Sequence, residues 1–492
     1  MKYSSTRNFS QEFTASEAIL QGLAPDGGLF VPRELPTLGE ADLRSLAPLP
    51  YPERAARVMK LFLEEFTLEE LQGFCREAYS EARFPGGAAP ITKHGDLFLE
   101  LWHGPTCAFK DMALQMLPRL LTASLKKCGQ TEGALILTAT SGDTGKAALE
   151  GFCDVKNTKI MVFYPENGVS DVQKLQMTTQ RGSNVMVQAV RGNFDDAQSG
   201  VKRILSDPQL NEAVAARGWR FSSANSINWG RLLPQIAYYV SAYLDCVELG
   251  EIKFGETLNF CVPTGNFGNI LAAYYAKRMG LPIGKLICAS NANNVLTDFI
   301  RSGVYDRRRD FHMTISPSMD ILISSNLERL LHALSGDPEE VASLMENLSR
   351  EGHYEVSDDI KTQISELLWA DHCDDELTKK TIRDVWNESH YLIDPHTAVA
   401  EAVRRKYEAS TGDTCKTVVV STADPYKFCG AVLESLGEAS AEDGVTLIER
   451  LAALTETTPP PQLKALRDAK ECFKGSCSAE EMADKVLGFA AK

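Results

Sequence analysis

The feature that most constrains this chain is a recurring unit. A short apolar run ends in a small polar turn, and helical spacing follows. GALILTAT (133–140), KIMVFYP (159–165), NVMVQAV (184–190), TLNFCVPTG (257–265), KLICASN (285–291) and KTVVVSTAD (416–424) are such runs. Continuous apolar strands separated by helices are what a parallel sheet covered on both faces requires. KAALEGFCDV, a polar segment through Gln180, 195–217 with a break at Pro208, NILAAYYAKRM and NVLTDFIRSG read as the helices between them. The expected fold class is therefore α/β with mostly parallel sheets.

Two regions interrupt the alternation. Residues 1–95 read as a helical, loop-rich N-terminal extension with a turn at PDGG (25–28). Residues near 317–390 are charged and helical, and read as an insertion between strands. TTPPPQ (457–462) is a proline-rich joint within a helical tail over 441–492. The expected organisation places 96–130 and 251–440 in a large domain carrying that insertion, and 131–250 in a small α/β domain. A chain of 492 residues fits about three domains at roughly 150 residues each, and it needs no metal or disulfide staple.

Composition narrows the function. The net charge of -15 disfavours a nucleic-acid or anionic-membrane surface, though not a local basic pocket. No apolar run approaches the ~20 residues of a membrane span. Met1–Asn8 is polar and has no apolar signal region, so a cytoplasmic protein is expected. The 12 cysteines are scattered without CxxC spacing, which reads as reduced thiols. No metal site is expected.

Chemistry concentrates in five segments. HGPTCAFKDMALQML (103–117) turns at Gly104–Pro105 and opens a helix at Phe109-Lys110-Asp111, with Pro118 marking its first break. TATSGDTGKAAL (138–149) and CVPTGNFGNILAAYYA (261–276) are glycine-bearing strand-to-helix turns. Their backbone N–H groups and hydroxyls can form anion sites at helix N-termini. The first lacks the spacing of a P-loop, and GNFGN is not the dinucleotide fingerprint. SSANSINWGRLLPQ (222–235) gathers Asn225, Ser226, Asn228 and Arg231, and a guanidinium can bind phosphate bidentately. VVVSTADPYKF (418–428) ends a buried strand in Ser421 and Thr422 hydroxyls. Read alone, each segment is equally a plain connection or a solvated loop.

Together, the segments resemble the fold-type II pyridoxal-phosphate enzymes, the class of the tryptophan synthase β-subunit. GLAPDGGLFVP (22–32), GPTCAFKDMALQ (104–115), TSGDTGKAA (140–148), NSINWGRLLPQ (225–235), PTGNFGN (263–269) and DPHTAVA (394–400) resemble the longer form of the threonine synthase family. The resemblance implies two three-layer α/β domains and pyridoxal 5′-phosphate bound to Lys110 as a Schiff base. Phe109 would lie beside it, with Gly265, Asn266, Phe267, Gly268 and Asn269 around its phosphate. Thr422, rather than Ser421, would face the pyridine nitrogen. Asp143 would lie near the 3′ oxygen, where many relatives of the fold carry Asn. Ser141 and Thr144 would help hold the substrate, and Asn225, Ser226, Arg231 and Asn266 would lie near its phosphate. His103 and His396 are pocket candidates that also read as core histidines.

The implied reaction is a lyase reaction on a small molecule: O-phospho-L-homoserine and water give L-threonine and phosphate, with the Lys110 amine as the base. A phospholyase releasing a keto acid and ammonia, and a non-catalytic ligand-binding relative, are the alternatives. A monomer or homodimer is expected.

Overall fold

The computed structural model describes residues 1–140, 142–166, 169–438 and 444–491. Two sheets organise it. The larger runs in the strand order Leu368–His372, Ile283–Ser290, Leu258–Pro263, Thr417–Ser421, Asp96–Glu100, Ile91–His94. Neighbours are parallel except for the last pair, an antiparallel hairpin in which Ile91 faces Leu99. The smaller sheet runs Ser476–Cys477, Val185–Val190, Thr158–Pro165, Gly133–Ala139, Trp219–Ser223, and every pairing is parallel. Leu258–Pro263, Thr417–Ser421, Gly133–Ala139 and Thr158–Pro165 are buried along their whole lengths. That burial is why they read as unbroken apolar runs instead of alternating ones.

The helices follow their capping chemistry. Pro208 opens a second helix, Pro208–Ala215, behind Phe194–Ser206, and Asp207 caps it. Pro118 sits in the first turn of Leu117–Lys127, after the short helix Lys110–Leu114 has ended. There proline's missing N–H costs nothing. Trp229–Glu248 is buried almost all round and packs against Tyr51–Lys60, Lys110–Leu114 and Gly268–Met279. A helix apolar on every side belongs in a core, and this one ties the N-terminal segment to the site.

Four expectations need adjustment. The N-terminal segment is not only helix and loop: Tyr3–Ser5 pairs antiparallel with Asn8–Phe13 and with Phe30–Pro32. These strands are too short for a period to show in sequence. The boundary at 95 falls inside the Ile91–Glu100 hairpin, and the helical insertion contributes the edge strand Leu368–His372. The tail contains helices Val445–Thr455 and Met482–Ala490, but Ser476–Cys477 extends the smaller sheet. Met482, Val486 and Phe489 pack there with Leu135, Met161 and Phe163, so the tail's apolar face is spent on that sheet.

Candidate active site

The site forms where the carboxyl ends of Thr417–Ser421, Leu258–Pro263 and Gly133–Ala139 meet helix starts, the usual ligand position in open α/β sheets. Lys110 is placed by the strand end beside it. Ala108 bridges Ala423, and the Phe109 N–H donates to the Thr422 carbonyl at 2.8 Å. Asp111 braces the preceding turn, accepting from the Thr106 N–H and Oγ1, each at 2.8 Å.

The Lys110 amine lies 3.5 Å from Ser318 Oγ and 4.7 Å from the centroid of the Phe109 ring. Desolvation lowers its pKa to about 8. Asp143 opposes that shift, while Arg231 and Lys427 add to it. An amine so tuned has a neutral fraction near physiological pH, which base chemistry requires.

Asp143 opens the helix Asp143–Phe152. Its Oδ1 pairs with Lys427 Nζ at 2.8 Å and accepts from Gln173 Nε2 at 2.9 Å, and its Oδ2 accepts from Ser318 Oγ at 3.4 Å. Burial opposes ionisation, but Lys427 and Lys110 hold its carboxyl well below the usual range. The turn before it is locked by Thr140 Oγ1, which accepts from the Gly142 and Gly145 N–H groups at 3.0 and 2.9 Å. Thr144 is half-buried on the same first turn; Ser141 lies outside the described residues.

The second glycine turn is neutral. Phe267 holds a left-handed conformation (φ 61°) at the entrance of Gly268–Met279. A non-glycine residue held there marks strain kept for a local purpose. The Gly265 carbonyl accepts from Ser324 Oγ at 2.7 Å, and the Asn266 carbonyl accepts from the Asn326 N–H and Nδ2 at 3.1 and 3.0 Å. Asn269 Oδ1 accepts from the Tyr238 and Tyr239 hydroxyls, while its Nδ2 is buried with no partner among the described residues.

Arg231 is buried, not solvated: it donates to the Ala224 carbonyl, and its Nε is likewise buried with no partner among the described residues. Desolvation lowers its pKa to about 10. Asn225 and Ser226 are half-buried on the loop before it. Orphaned donors inside a site suit a polyanionic occupant, because leaving them unpaired is costly. A glycine-lined helix entrance, a partly buried lysine amine and these donors fit pyridoxal phosphate.

At the end of Thr417–Ser421 the two hydroxyls part. Ser421 Oγ accepts from Trp102 Nε1 at 3.0 Å and from Thr397 Oγ1 at 3.1 Å. Thr422, 5% exposed, is the member of the pair whose hydroxyl takes no partner among the described residues. His396 Nε2 accepts from the Ser318 N–H at 3.1 Å, and its Nδ1 meets Asp394 Oδ1 at 2.7 Å. His103 is engaged by Glu100 at 2.7 Å. Sequence reading missed Ser318, Ser324, Asn326, Gln173 and Lys427. Lys427 stood inside a quoted motif, but nothing local announced that it would turn inward.

Among the described residues no helix is long and apolar enough to cross a membrane, and no group of three or more His, Cys, Asp or Glu could hold a metal. All 12 cysteines are free.

Residues 2–79 match the family model "Threonine synthase N terminus", 91–357 "Pyridoxal-phosphate dependent enzyme", and 397–480 "Threonine synthase, C-terminal". The chain is 43% identical over 436 residues to threonine synthase-like 1 of Homo sapiens, covering 86% of this chain and 58% of that protein. It thus spans under two thirds of the length of those relatives. It is 41% identical to threonine synthase of Pseudomonas aeruginosa, covering 90% of this chain and 92% of that one. A PLP-bound threonine synthase crystal structure from Brucella melitensis superposes with a TM-score of 0.88 at 38% identity, covering both chains completely. With all three family models matched in order and near-complete alignment to bacterial relatives, this chain belongs to the threonine synthase family of pyridoxal-phosphate-dependent enzymes.

Proposed function

We propose that this protein converts O-phospho-L-homoserine and water to L-threonine and phosphate, with Lys110 as the cofactor lysine and base. The observation that carries the reading is the Lys110 amine, set at a helix entrance by the Ala108–Ala423 bridge and 3.5 Å from Ser318 Oγ, where burial lowers its pKa to about 8. Lys110, Arg231 and Lys427 against the carboxylates of Asp143 and Asp111 leave the pocket net positive, suited to a phosphorylated cofactor and a phosphorylated substrate.

When bound, pyridoxal phosphate supplies the electron sink for carbanions at the substrate's carbons. The chain supplies the rest. The Gly265–Asn269 turn would hold the cofactor phosphate, with Phe109 beside the ring, Thr422 toward its nitrogen and Asp143 toward its 3′ oxygen. Ser141 and Thr144 would help hold the substrate. Arg231, Asn225, Ser226 and Asn266 would hold its phosphate and keep the departed anion near. Lys110 would move the proton at Cα.

Incubation with O-phospho-L-homoserine tests this. Wild type should form threonine, and Lys110→Ala should form none, because removing the group that both anchors and abstracts leaves no route. 2-Oxobutyrate in place of threonine would make the protein a phospholyase. The reading extends to a cytoplasmic monomer or homodimer, which light scattering of the purified protein would distinguish.

A further inference from the structure

The geometry points to Lys427 as a positioning residue for the Lys110 amine, acting through Asp143 and Ser318; this rests on Lys110 being the cofactor lysine. Lys427 lies on the turn Pro425–Phe428, directly after the strand end that carries Thr422, and Asp424 caps that turn. Its side chain is fully buried and that of Asp143 is 3% exposed. The ammonium is held at two points: Asp143 Oδ1 at 2.8 Å and the Thr106 carbonyl, also at 2.8 Å. Thr106 belongs to the turn that delivers Lys110, so one cation joins the glycine turn of the smaller sheet to the lysine turn of the larger.

The two oxygens of Asp143 divide the work. Oδ1 is saturated by Lys427 and Gln173, whereas Oδ2 faces Ser318 Oγ, which in turn lies 3.5 Å from Lys110 Nζ. Ser318 is fixed from the other side by His396, which Asp394 orients. A lone carboxylate here would draw the Lys110 ammonium into a direct ion pair. Lys427 supplies the counter-charge in its place, and Lys110 is left beside a hydroxyl. The same logic explains why this turn carries Asp: an Asn would leave Lys427 buried without an anion. The charged groups acting on Lys110 are Asp143, Arg231, Lys427 and Asp111.

The test uses Lys427→Met, Asp143→Asn and the double variant. In the holoenzyme, the pH midpoint of the cofactor's visible absorbance should rise by about one unit in Lys427→Met, where the carboxylate is uncompensated. It should fall by about one unit in Asp143→Asn and return close to wild type in the double variant. In the cofactor-free protein, each single variant should lower the melting temperature by roughly 5 °C, and the double by less than the sum. Unshifted midpoints in the single variants, or melting-temperature losses that simply add in the double, overturn the proposal. If a single variant fails to fold, folding of the double supports the pair and failure of the double overturns it. A wild type with no cofactor band overturns the functional reading as well; a wild-type band with unmoved variants overturns this proposal alone.

Discussion

The two glycine turns look alike in sequence and work differently. Thr140–Lys146 surrounds a buried charge. Asp143 is held ionised by Lys427, and the Gly142 and Gly145 N–H groups donate to Thr140 Oγ1. Pro263–Asn269 carries no charge. Its carbonyls are clamped by Ser324 and Asn326 at a neutral helix entrance, a setting that suits an anion. One turn holds a buried ion pair, and the other is a neutral helix entrance braced through its carbonyls. Similar composition therefore does not imply similar chemistry. What each turn binds depends on which segment folds onto it.

Their glycines sharpen the contrast. Gly142 has φ 142°, and a Cβ there would lie 2.5 Å from the buried Gln173 amide. Gly142→Ala should cost about 3 kcal/mol through combined strain and overlap, read by denaturant unfolding. Gly265 needs no unusual φ; its Cβ would instead meet the Ser318 carbonyl oxygen at 2.6 Å. Gly265→Ala should cost about 2 kcal/mol and weaken cofactor retention, measured by dialysis against buffer. Retention equal to wild type would show that the approach of Ser318 does not shape the cradle.

Asn326→Ala comes next. It removes one of two donors to the Asn266 carbonyl and a partner of Arg329, for about 1 kcal/mol. Cofactor affinity should fall several-fold while the Asp143 side is untouched, so the absorbance midpoint should not move.

The last test reads a pH slope on the charged side. Burial raises the Asp424 carboxyl to about 7. The folded state then binds more protons than the unfolded chain between about pH 4 and 7, so this group's contribution is full at low pH and is lost as pH rises through that window. Asp424→Asn keeps an acceptor for the Tyr426 N–H and should flatten that part of the stability profile of the cofactor-free protein. An unchanged slope would mean that the carboxyl titrates normally.

Much of the fold was legible because it is written in local patterns. The strands Gly133–Ala139, Thr158–Pro165, Val185–Val190, Leu258–Pro263, Ile283–Ser290 and Thr417–Ser421 each fall within a residue or two of an apolar run. The breaks at Pro118 and Pro208 follow from proline's missing donor. Trp219–Ser223 and Ser476–Cys477 were not legible. They are short, mostly half-buried edge strands, and pairing with a neighbour, not their own periodicity, makes them strands.

For the site, the amino-acid sequence alone determined which residue types were present and which turns they occupied: a lysine at a helix entrance, two glycine turns, an arginine beyond an asparagine-rich loop. Those follow from backbone sterics and helix-end polarity, which act over a few residues. Only the tertiary structure decided that Ser318, 208 residues from Lys110, would touch its amine, and that Lys427 would face Asp143. Charge pairing in a desolvated interior depends on distance in space and on burial, and neither is encoded by nearness along the chain.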